Sequence, residues 1–472
     1  MPPRAGSRLL RSLRMDSFDA LALDPALRQA VAAAGYTTPT PIQARTLPVI
    51  LAGHDLLAMA PTGSGKTAAF GLGLLQRLQP GLLRVQALVL CPTRELADQV
   101  ARSLRKLAAG IGNVKLTLVT GGVPAAPQRA SLVQPPQVVV GTPGRVLEML
   151  EQGLIDPDAI ASFVLDEADR MLDMGFAEAI EAIVRRLPSG RQSLLFSATW
   201  PDAIRAMART TLREPVEVTV DEAGQQPRIE HVFHETDPAR RNDALVALLL
   251  VNRPRAAVVF CNTRKEADEV AVRLRDEGFD ALALHGDMEQ RDRDETLLRF
   301  GNGSLSVLVA SDVAARGLDI DEVDCVVNHA LPSDADAYTH RVGRTARAGR
   351  TGLALSLVAP AEMARAQRIR DALGIEPRWA PTGLPPGGAA RSAPRAAMAT
   401  LRIDAGRVDK LRPGDILGAL TGAAAVPAEA IGRIDLFPTR AYVAVRRDLA
   451  KSAAAALQAG RIKGRSRRVR LV

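Results

Sequence analysis

The 472-residue sequence is poor in cysteine, in aromatic residues and in long apolar runs. Its three cysteines, Cys91, Cys261 and Cys325, lie far apart, which excludes a disulfide framework or a cysteine-rich zinc cluster and indicates a reducing, cytoplasmic setting. Each follows or enters an apolar run, so we expect buried core thiols. The longest apolar runs, such as residues 244–251, are far shorter than the roughly 18 residues of a membrane-spanning helix. Since 47% of the residues are apolar, the chain can still bury several cores, and its length predicts two to four domains.

The excess positive charge is concentrated at the C-terminus. Residues 398–472 contain fifteen Lys and Arg against six Asp and Glu, whereas the first 397 residues contain 46 of each, so the net charge of +9 belongs to the last segment. Such a segment is typical of polyanion binding, because neutralised phosphates release condensed counterions. A basic tail that only keeps the protein in solution is the alternative.

Apolar runs alternate with helical patterns over two long stretches of the chain. Runs that are continuously apolar predict parallel strands with helices on both faces of the sheet. The runs lie at residues 87–90, 138–140, 163–165 and 194–196, and again at 257–260, 281–284, 307–309, 325–327 and 353–358. We therefore predict two tandem α/β domains, residues 15–220 and 229–376, joined by a linker at 221–228.

Three other segments differ in composition from these domains. Residues 1–14 hold four arginines and no acid, which indicates a flexible basic leader or an upstream start codon, with a targeting presequence as the alternative. Residues 377–397 are rich in Pro, Gly and Ala and predict a flexible linker, which would tether the segment that follows. In residues 398–472 the pattern predicts the order β-α-β-β-α-β of a small α+β domain.

The clearest motif is Ala-Pro-Thr-Gly-Ser-Gly-Lys-Thr at residues 60–67. Its glycines let backbone N–H groups close around phosphate oxygens, Lys66 can reach the β and γ phosphates, and the Thr67 hydroxyl can bind Mg²⁺. Ala60 stands where the strict pattern has glycine. The predicted ATP-binding residues of the loop are Ala60, Pro61, Thr62, Gly63, Ser64, Gly65, Lys66 and Thr67.

Two further motifs complete a nucleotide-hydrolysing set. Asp166 and Glu167 directly follow an apolar run, where Asp166 can hold Mg²⁺ through its waters and Glu167 can deprotonate the attacking water. Arg344 and Arg347 are three residues apart, so we expect them on one face of a helix, stabilising the charge of the γ-phosphate. A solvated arginine face is the alternative for that pair.

Other polar motifs also follow predicted strands. Ligands of parallel α/β sheets bind outside the carboxyl ends of the strands, so both domains present a polar edge, and a nucleotide between them can control their closure. These motifs begin at residues 92, 142, 197, 262 and 311.

In this order the motifs resemble those of the DEAD-box ATP-dependent RNA helicases, from about Phe18 to Gly349. The literal Asp-Glu-Ala-Asp at residues 166–169 is specific in that context. The resemblance implies an RNA-dependent ATPase with two RecA-like domains that locally unwinds RNA. It also implies that Phe18 and Gln43 recognise adenine and that Asp319 holds the ribose.

The same resemblance assigns three further groups of residues. Arg344 and Arg347 become arginine fingers. The residues that couple hydrolysis to duplex opening are Asp169, Ser197, Thr199 and His340. Those that grip the RNA backbone without reading its sequence are Arg94, Gly122, Thr142, Arg145, Thr263, Arg264 and Ser311.

The basic tail resembles the C-terminal RNA-binding domain of the DbpA helicases. The resemblance rests on residues 412–422, 431–434, 441–445 and 460–471, and Trp200-Pro201 is similar to that group too. It implies an RRM-like fold that targets a hairpin of 23S ribosomal RNA during large-subunit assembly. Only Phe437 and Tyr442 are aromatic after residue 398, so stacking platforms for unpaired bases are scarce. We predict recognition of the folded hairpin by Arg461, Lys463, Arg465, Arg467, Arg468 and Arg470.

The sequence thus predicts an enzyme that uses ATP and Mg²⁺ and binds RNA, with no membrane and no obligate protein partner. Three alternatives remain open: a DNA translocase, a non-catalytic RNA-binding scaffold, and a general RNA remodeller without ribosomal specificity. The first is disfavoured by the literal acidic motif and the adenine-recognition segment. A scaffold would need neither Lys66 nor Glu167.

Overall fold

The computed structural model describes residues 17–60, 63–200, 202–220, 229–312, 323–346, 351–382, 392–422 and 424–472. By their contacts these residues form two units, one containing the described residues up to 220 and the other containing those from 229 onward. The predicted leader at 1–14 and linker at 221–228 lie outside the described residues. Within the described ranges, no helix is both long enough and apolar enough to cross a membrane.

The first unit is built around a parallel sheet of seven strands. The strands are β1 (Leu56–Met59), β2 (Ala87–Leu90), β3 (Leu116–Val119), β4 (Val138–Gly141), β5 (Ser162–Leu165), β6 (Gln192–Ser197) and β7 (Val216–Thr219). Their order across the sheet is β3-β4-β2-β5-β6-β1-β7. The helices are α1 (Pro25–Ala33), α2 (Pro41–Leu51), α3 (Lys66–Gln76), α4 (Arg94–Ala108), α5 (Ala125–Leu132), α6 (Pro143–Glu151), α7 (Ala168–Asp173), α8 (Ala177–Val184) and α9 (Asp202–Thr211).

The central strands of this sheet are buried on both faces. In β2, Ala87 and Val89 belong to one apolar core, whereas Leu88 and Leu90 belong to a second. Because successive side chains of a strand point to opposite faces, a continuous apolar run supplies both cores. The predicted parallel α/β architecture is confirmed, and it leaves the strand ends as the polar positions.

The second unit contains another seven-stranded parallel sheet, in the order β10-β11-β9-β12-β13-β8-β14. Its strands are β8 (Ile229–Glu235), β9 (Ala257–Cys261), β10 (Ala281–Leu284), β11 (Val307–Ser311), β12 (Cys325–Asn328), β13 (Gly352–Val358) and β14 (Arg378–Trp379). Its helices are α10 (Arg241–Asn252), α11 (Arg264–Asp276), α12 (Gln290–Gly301), α13 (Ala335–Val342) and α14 (Met363–Leu373). All three cysteines of the chain are buried, as expected.

The C-terminal part of the second unit has the predicted β-α-β-β-α-β order. Its elements are β15 (Met398–Ile403), α15 (Pro413–Thr421), β16 (Ile431–Leu436), β17 (Ala441–Arg446), α16 (Arg447–Ala459) and β18 (Val469–Leu471). The strands form an antiparallel sheet in the order β16-β17-β15-β18. Alternate residues such as Leu401, Ile403 and Val443 pack with the two helices in one apolar core.

The other face of this antiparallel sheet packs against the second parallel-sheet domain. The Thr400 hydroxyl accepts a hydrogen bond from Asn302 at 2.9 Å and donates one to Ser304 at 2.8 Å. The Tyr442 hydroxyl donates to Glu295 of α12 at 2.7 Å. Thr400 and Tyr442 are 0% and 1% exposed, so the centre of this sheet face is closed to solvent.

The segment at residues 377–397, predicted as a flexible linker, contacts the second domain at both ends. Trp379 of β14 pairs with Phe233 of β8, and the two rings meet edge-on with centroids 5.4 Å apart. Near the other end, Asp280 accepts hydrogen bonds from the Ala396 N–H and from Arg447, both at 2.8 Å. Residues 383–391 lie outside the described part. Backbone pairing and a shared carboxylate therefore attach both described ends of the segment to the domain, whereas its composition predicts a loose tether.

Candidate functional site

The predicted phosphate-binding loop lies between β1 and α3. Gly63 and Gly65 have φ angles of 84° and 96°, in the left-handed region that favours glycine. A Cβ atom at Gly65 would lie 2.5 Å from Nε2 of Gln43, so a side chain there requires the glutamine to move. Lys66 is buried, and its Nζ donates to the Ala60 carbonyl at 3.0 Å. The lysine charge is therefore held at the start of α3, where helix N–H groups favour an anion.

Residues of the predicted adenine-recognition segment are attached to this loop. Nε2 of Gln43 donates to the Gly65 carbonyl at 3.1 Å, and its Oε1 accepts from the Thr40 N–H at 2.9 Å. The Thr40 hydroxyl donates to the Ser64 carbonyl at 2.7 Å. Gln43 and Phe18 are both buried. Contacts of Phe18 and Gln43 with adenine stay predictions, while Pro61 and Thr62 lie outside the described residues.

Asp166 is buried directly after β5. Its Oδ1 atom has no hydrogen-bond partner among the described residues. Burial raises the pKa of Asp166 to about 7, although the charge of Lys66 acts in the opposite direction. A divalent cation would supply the missing partner and hold the carboxylate ionised. The oxygen donors Asp166 and Thr67, the latter in the first turn of α3, suit the ligand chemistry of Mg²⁺.

Glu167 is the N-cap of α7 and has a φ angle of 55°, which is uncommon for a residue with a side chain. This conformation turns the chain directly from β5 into α7, and such backbone strain is concentrated at functional sites. The Glu167 carboxylate forms an ion pair with Arg170 at 3.3 Å, and both side chains are almost fully buried. The predicted catalytic base is therefore held in a defined position.

Three of the residues predicted to couple hydrolysis to duplex opening are joined by hydrogen bonds. Oδ2 of Asp169 accepts from the N–H groups of Ala198 and Thr199 at 3.1 and 3.0 Å, and from the Thr199 hydroxyl at 3.1 Å. The Ser197 hydroxyl donates to the Thr199 carbonyl at 2.6 Å. The acidic motif after β5 and the Ser-Ala-Thr motif after β6 are thus one connected structure.

The RNA-contact residues predicted in the first unit surround the loop at residues 121–123. A Cβ atom at Gly122, which has a φ angle of 74°, would lie 3.9 Å from Nη1 of Arg94. The Thr142 hydroxyl accepts from the Gly121 N–H at 3.1 Å, and Arg145 donates to the Val123 carbonyl at 3.1 Å. Three separate strand ends therefore bring Arg94, Gly122, Thr142 and Arg145 together.

The corresponding residues of the second unit lie at the ends of β9 and β11. Thr263 caps α11 by accepting from the Glu266 N–H at 3.2 Å. The exposed Arg264 forms an ion pair with Asp287. Ser311, the last residue of β11, is opposite Cys261 in the parallel register. Thr263, Arg264 and Ser311 thus share one edge of the second parallel sheet.

Arg344 is not placed as expected. Helix α13 ends at Val342, and Thr345 forms a bridge with Val323, so Arg344 lies beyond the helix and the predicted helical face does not extend to it. Arg344 is buried, whereas His340 lies in the last turn of α13. Arg347 and the predicted ribose residue Asp319 lie outside the described residues.

Sequence reasoning missed Arg341, a buried arginine of the same motif. It is 2% exposed and donates to both oxygens of Asp312, at 2.6 and 2.7 Å. It also donates to Asn262 at 2.8 Å and Asn328 at 3.1 Å. Arg341 thereby joins the ends of β9, β11 and β12. The one available signal is that Tyr338 and Val342, both buried, place position 341 on the inner face of α13.

The basic residues of the C-terminal domain divide into two groups. Lys463, Arg467 and Arg470 form ion pairs with Asp415, Asp409 and Asp404 at 3.4, 2.9 and 2.9 Å. Arg461, Arg465 and Arg468 are exposed, and their side chains form no ion pair with any residue in the described ranges. A bridge between Ile462 and Arg465, with Lys463 and Gly464 at φ angles of 52° and 75°, turns this segment tightly.

The chain matches family models along most of its length. Residues 40–207 match the DEAD/DEAH box helicase family, 240–349 the helicase conserved C-terminal domain, and 400–471 the DbpA RNA binding domain. The chain is similar to the ATP-dependent RNA helicase DbpA of Escherichia coli, with 51% identity over 93% of this chain and 95% of that protein. It is also 42% identical to the DEAD-box ATP-dependent RNA helicase CshA of Geobacillus kaustophilus over 75% and 76% of the two chains.

Solved structures agree with these relationships. Yeast Dbp5 bound to RNA and ADP BeF3 is 33% identical, covers 78% of this chain and 96% of its own, and superposes with a TM-score of 0.71. The matches to helicase and RNA-binding models follow the order of the three sheets described above. The chain therefore belongs to the DEAD-box ATP-dependent RNA helicases and carries a DbpA-type RNA-binding domain.

Proposed function

We propose that Lys66, Thr67, Asp166 and Glu167 perform the ATP hydrolysis of this helicase. Lys66 binds the β and γ phosphates, Thr67 and Asp166 hold Mg²⁺, and Glu167 takes the proton of the attacking water. The bound metal ion would neutralise charge that develops on the transferring phosphate. Oδ1 of the buried Asp166 has no hydrogen-bond partner in the described part of the chain, which supports its assignment as metal ligand.

Asp169 is proposed to transmit the state of this site to the Ser-Ala-Thr motif. The supporting observation is that one carboxylate oxygen accepts three hydrogen bonds from residues 198 and 199. A shift of the acidic motif on phosphate release must move or break those bonds. Arg344, Arg347 and Asp319 complete the nucleotide site in this proposal, and Phe18 and Gln43 select adenine.

The RNA target is proposed to be a folded hairpin of 23S ribosomal RNA in a precursor of the large ribosomal subunit. The support is that the chain is 51% identical to E. coli DbpA over 95% of that protein, and that residues 400–471 match the DbpA RNA binding domain. The buried Thr400 and Tyr442 leave no room for bases to stack at the centre of its sheet face. The exposed Arg461, Arg465 and Arg468 next to a tight turn offer charge for the backbone of a folded RNA instead. A ribosomal precursor as the target would place the protein in the cytoplasm.

The paired basic residues have a different proposed role. Hydrogen bonding from the Gly406 backbone, together with Arg467, lowers the pKa of Asp409. Hydrogen bonding from the Arg412 backbone, together with Lys463, lowers the pKa of Asp415. Ion pairs at these exposed positions are worth little in stability, but they orient the segment. We assign Lys463, Arg467 and Arg470 to positioning, and the three unpaired arginines to phosphate contact.

The test compares RNA-stimulated ATP hydrolysis by the wild type and by the triple variant Arg461→Glu, Arg465→Glu, Arg468→Glu. The stimulating RNAs are a 23S fragment carrying the peptidyl-transferase-centre hairpin and an unstructured RNA of equal length. We expect the wild type to respond to the hairpin fragment at far lower concentration. For half-maximal stimulation of ATP hydrolysis, the triple variant should need at least about a hundredfold higher concentration of the hairpin fragment than the wild type. The reason is that each phosphate contact contributes to both affinity and salt dependence.

A charge-matched control reverses Lys451, Arg368 and Arg209, which are exposed on α16, α14 and α9. This control should keep the wild-type preference for the hairpin. Equal stimulation of the wild type by both RNAs would instead identify a general RNA remodeller. Equal losses in the two triple variants would mean that overall charge, and not this segment, determines binding.

A further inference from the structure

A cysteine, a glutamate and a histidine converge at the carboxyl end of the second parallel sheet. Strands β9 and β12 are neighbours with Phe260 opposite Asn328, so the next residue on each, Cys261 and His329, are side by side. Glu266 reaches the same place from the first turn of α11. One donor atom from each side chain lies within 4.8 Å of the other two.

The His329 ring is held in the way that metal-binding histidines usually are. Its Nε2 lies 2.8 Å from Oδ1 of Asn242, and its Nδ1 lies 2.7 Å from Oε1 of Glu266. A histidine ligand commonly donates its second N–H to an oxygen atom, which fixes both the tautomer and the ring orientation. Asn242 supplies that oxygen, and Nδ1 is then the nitrogen directed toward the other two donors.

Two of the three donor side chains are buried, and the third is partly exposed to solvent. Cys261 is fully buried and His329 is 4% exposed, whereas Glu266 is half-buried and leaves a route from solvent. Burial, with a further contribution from Glu266, raises the pKa of the Cys261 thiol well above its ordinary value. Arg341 and Arg241 also act on this thiol and oppose that shift. The thiol therefore keeps its proton until a cation replaces it.

We propose that Cys261, Glu266 and His329 form a binding site for a thiophilic divalent metal ion such as Zn²⁺. One sulfur, one nitrogen and one oxygen donor belong to the ligand chemistry of Zn²⁺, whereas Mg²⁺ takes oxygen donors. The site shares no residue with the proposed ATP and Mg²⁺ site.

The experiment uses Co²⁺ as a spectroscopic probe on full-length, chelator-treated protein without nucleotide. We expect one equivalent of Co²⁺ to produce a thiolate-to-metal charge-transfer band in the near ultraviolet, and added Zn²⁺ to abolish it. The variant Cys261→Ser should lose the band. The matched control Cys325→Ser, which alters a buried cysteine on the neighbouring strand β12, should retain it.

Asn242→Ala tests the orienting role separately. Loss of such a supporting hydrogen bond should weaken Co²⁺ binding about 10- to 100-fold while keeping the band. Circular dichroism identifies the variants that fold, and if Cys261→Ser does not, His329→Phe replaces it and must also lose the band. A wild type without the band, or a folded ligand variant that retains it, would overturn the proposal. The readout involves no helicase activity, so it is independent of the proposed function.

Discussion

The two parallel sheets and the C-terminal antiparallel sheet carry their polar residues in different places. In the first sheet both faces are apolar, and Asp166 and Ser197 lie where strands end. In β15 the faces differ, since Leu401 packs with helices while Thr400 bonds to another domain. A sheet covered on both faces has only its ends left for ligands, whereas a half-covered sheet offers a whole face.

In the function that we propose, this difference places ATP hydrolysis at strand ends and RNA targeting in another part of the chain. The strand ends of the parallel sheets hold rigid constellations, such as Asp169 with the Ser-Ala-Thr motif. The antiparallel sheet uses its helix-free face for contact with the second parallel-sheet domain, so in the function that we propose RNA recognition passes to the basic segment between α16 and β18. Substitutions at the strand ends of the parallel sheets should therefore affect ATP turnover. Substitutions on the helix-free face of the antiparallel sheet should affect its packing against the second parallel-sheet domain.

The largest effect is expected from Glu167→Gln, a change at a strand end. Removing the proposed base while keeping the proposed metal ligand Asp166 should lower RNA-stimulated ATP hydrolysis by about 10²- to 10⁴-fold. ATP and RNA binding should persist, and the variant should accumulate in its ATP- and RNA-bound state. Phosphate release under saturating RNA, with equilibrium binding of hairpin RNA, measures both.

Glu178→Gln is the matched control, because it makes the same chemical change at an exposed residue of α8. It should leave turnover unchanged. Ordinary turnover by Glu167→Gln would remove Glu167 from the mechanism.

Asp166→Asn should stabilise the nucleotide-free protein increasingly as pH rises from 5 to 8. The pKa of Asp166 is raised to about 7, so the folded state binds more protons than the unfolded state between its ordinary pKa and 7. Stability of the wild type is then lost as pH rises through that window, by on the order of a few kcal/mol, and the amide variant escapes this loss. Urea unfolding followed by Trp200 fluorescence, in a Trp379→Phe background, measures the difference at both pH values. A pH-independent difference would show that the carboxyl group titrates normally.

A smaller effect is expected from a substitution on the helix-free face of the antiparallel sheet. Thr400→Val leaves Asn302 and Ser304 without their buried partner, which should cost about 1–3 kcal/mol in the packing of this sheet. Hydrogen exchange of α12 and β15 in the full-length protein should accelerate accordingly. Thr421→Val, at an exposed hydroxyl of α15, is the control and should leave exchange there unchanged. Equal exchange in both variants would mean that Thr400 does not hold the sheet in place.

The sequence predicted those features of the fold that residues adjacent along the chain determine. An apolar run followed at once by a polar motif defines a strand and its end, so the sequence correctly placed Asp166, Ser197 and Thr263 at or just after strand ends. The partners of Arg341 are different, since Asp312 and Asn262 approach it from other strands. The spacing of Tyr338 and Val342 places position 341 on the inner face of α13, but it does not identify the partners of the arginine.

The packing of the C-terminal domain was missed for the same physical reason. Thr400 and Tyr442 alternate with core residues and so indicate an outward face, but not what covers it. The strand at Trp379 was missed because two residues carry no periodicity, and their pairing with β8 supplies the stability. The end of α13 before Arg344 depends on the bridge between Thr345 and Val323, which is again a long-range contact.

Ala60→Gly should have the smallest effect. It tests whether residue 60 holds the phosphate loop through its backbone groups and not through its side chain. Ala60 departs from the strict phosphate-loop pattern, yet its carbonyl accepts from Lys66 and its N–H donates to Ser197, which any residue can do. The buried methyl group only fills the core, so its loss should cost about 1 kcal/mol of stability. The KM for ATP should stay within about twofold of the wild type, since less than 0.5 kcal/mol of binding changes. A larger change in KM would mean that the methyl group shapes the phosphate loop itself, and steady-state ATP titration distinguishes the two.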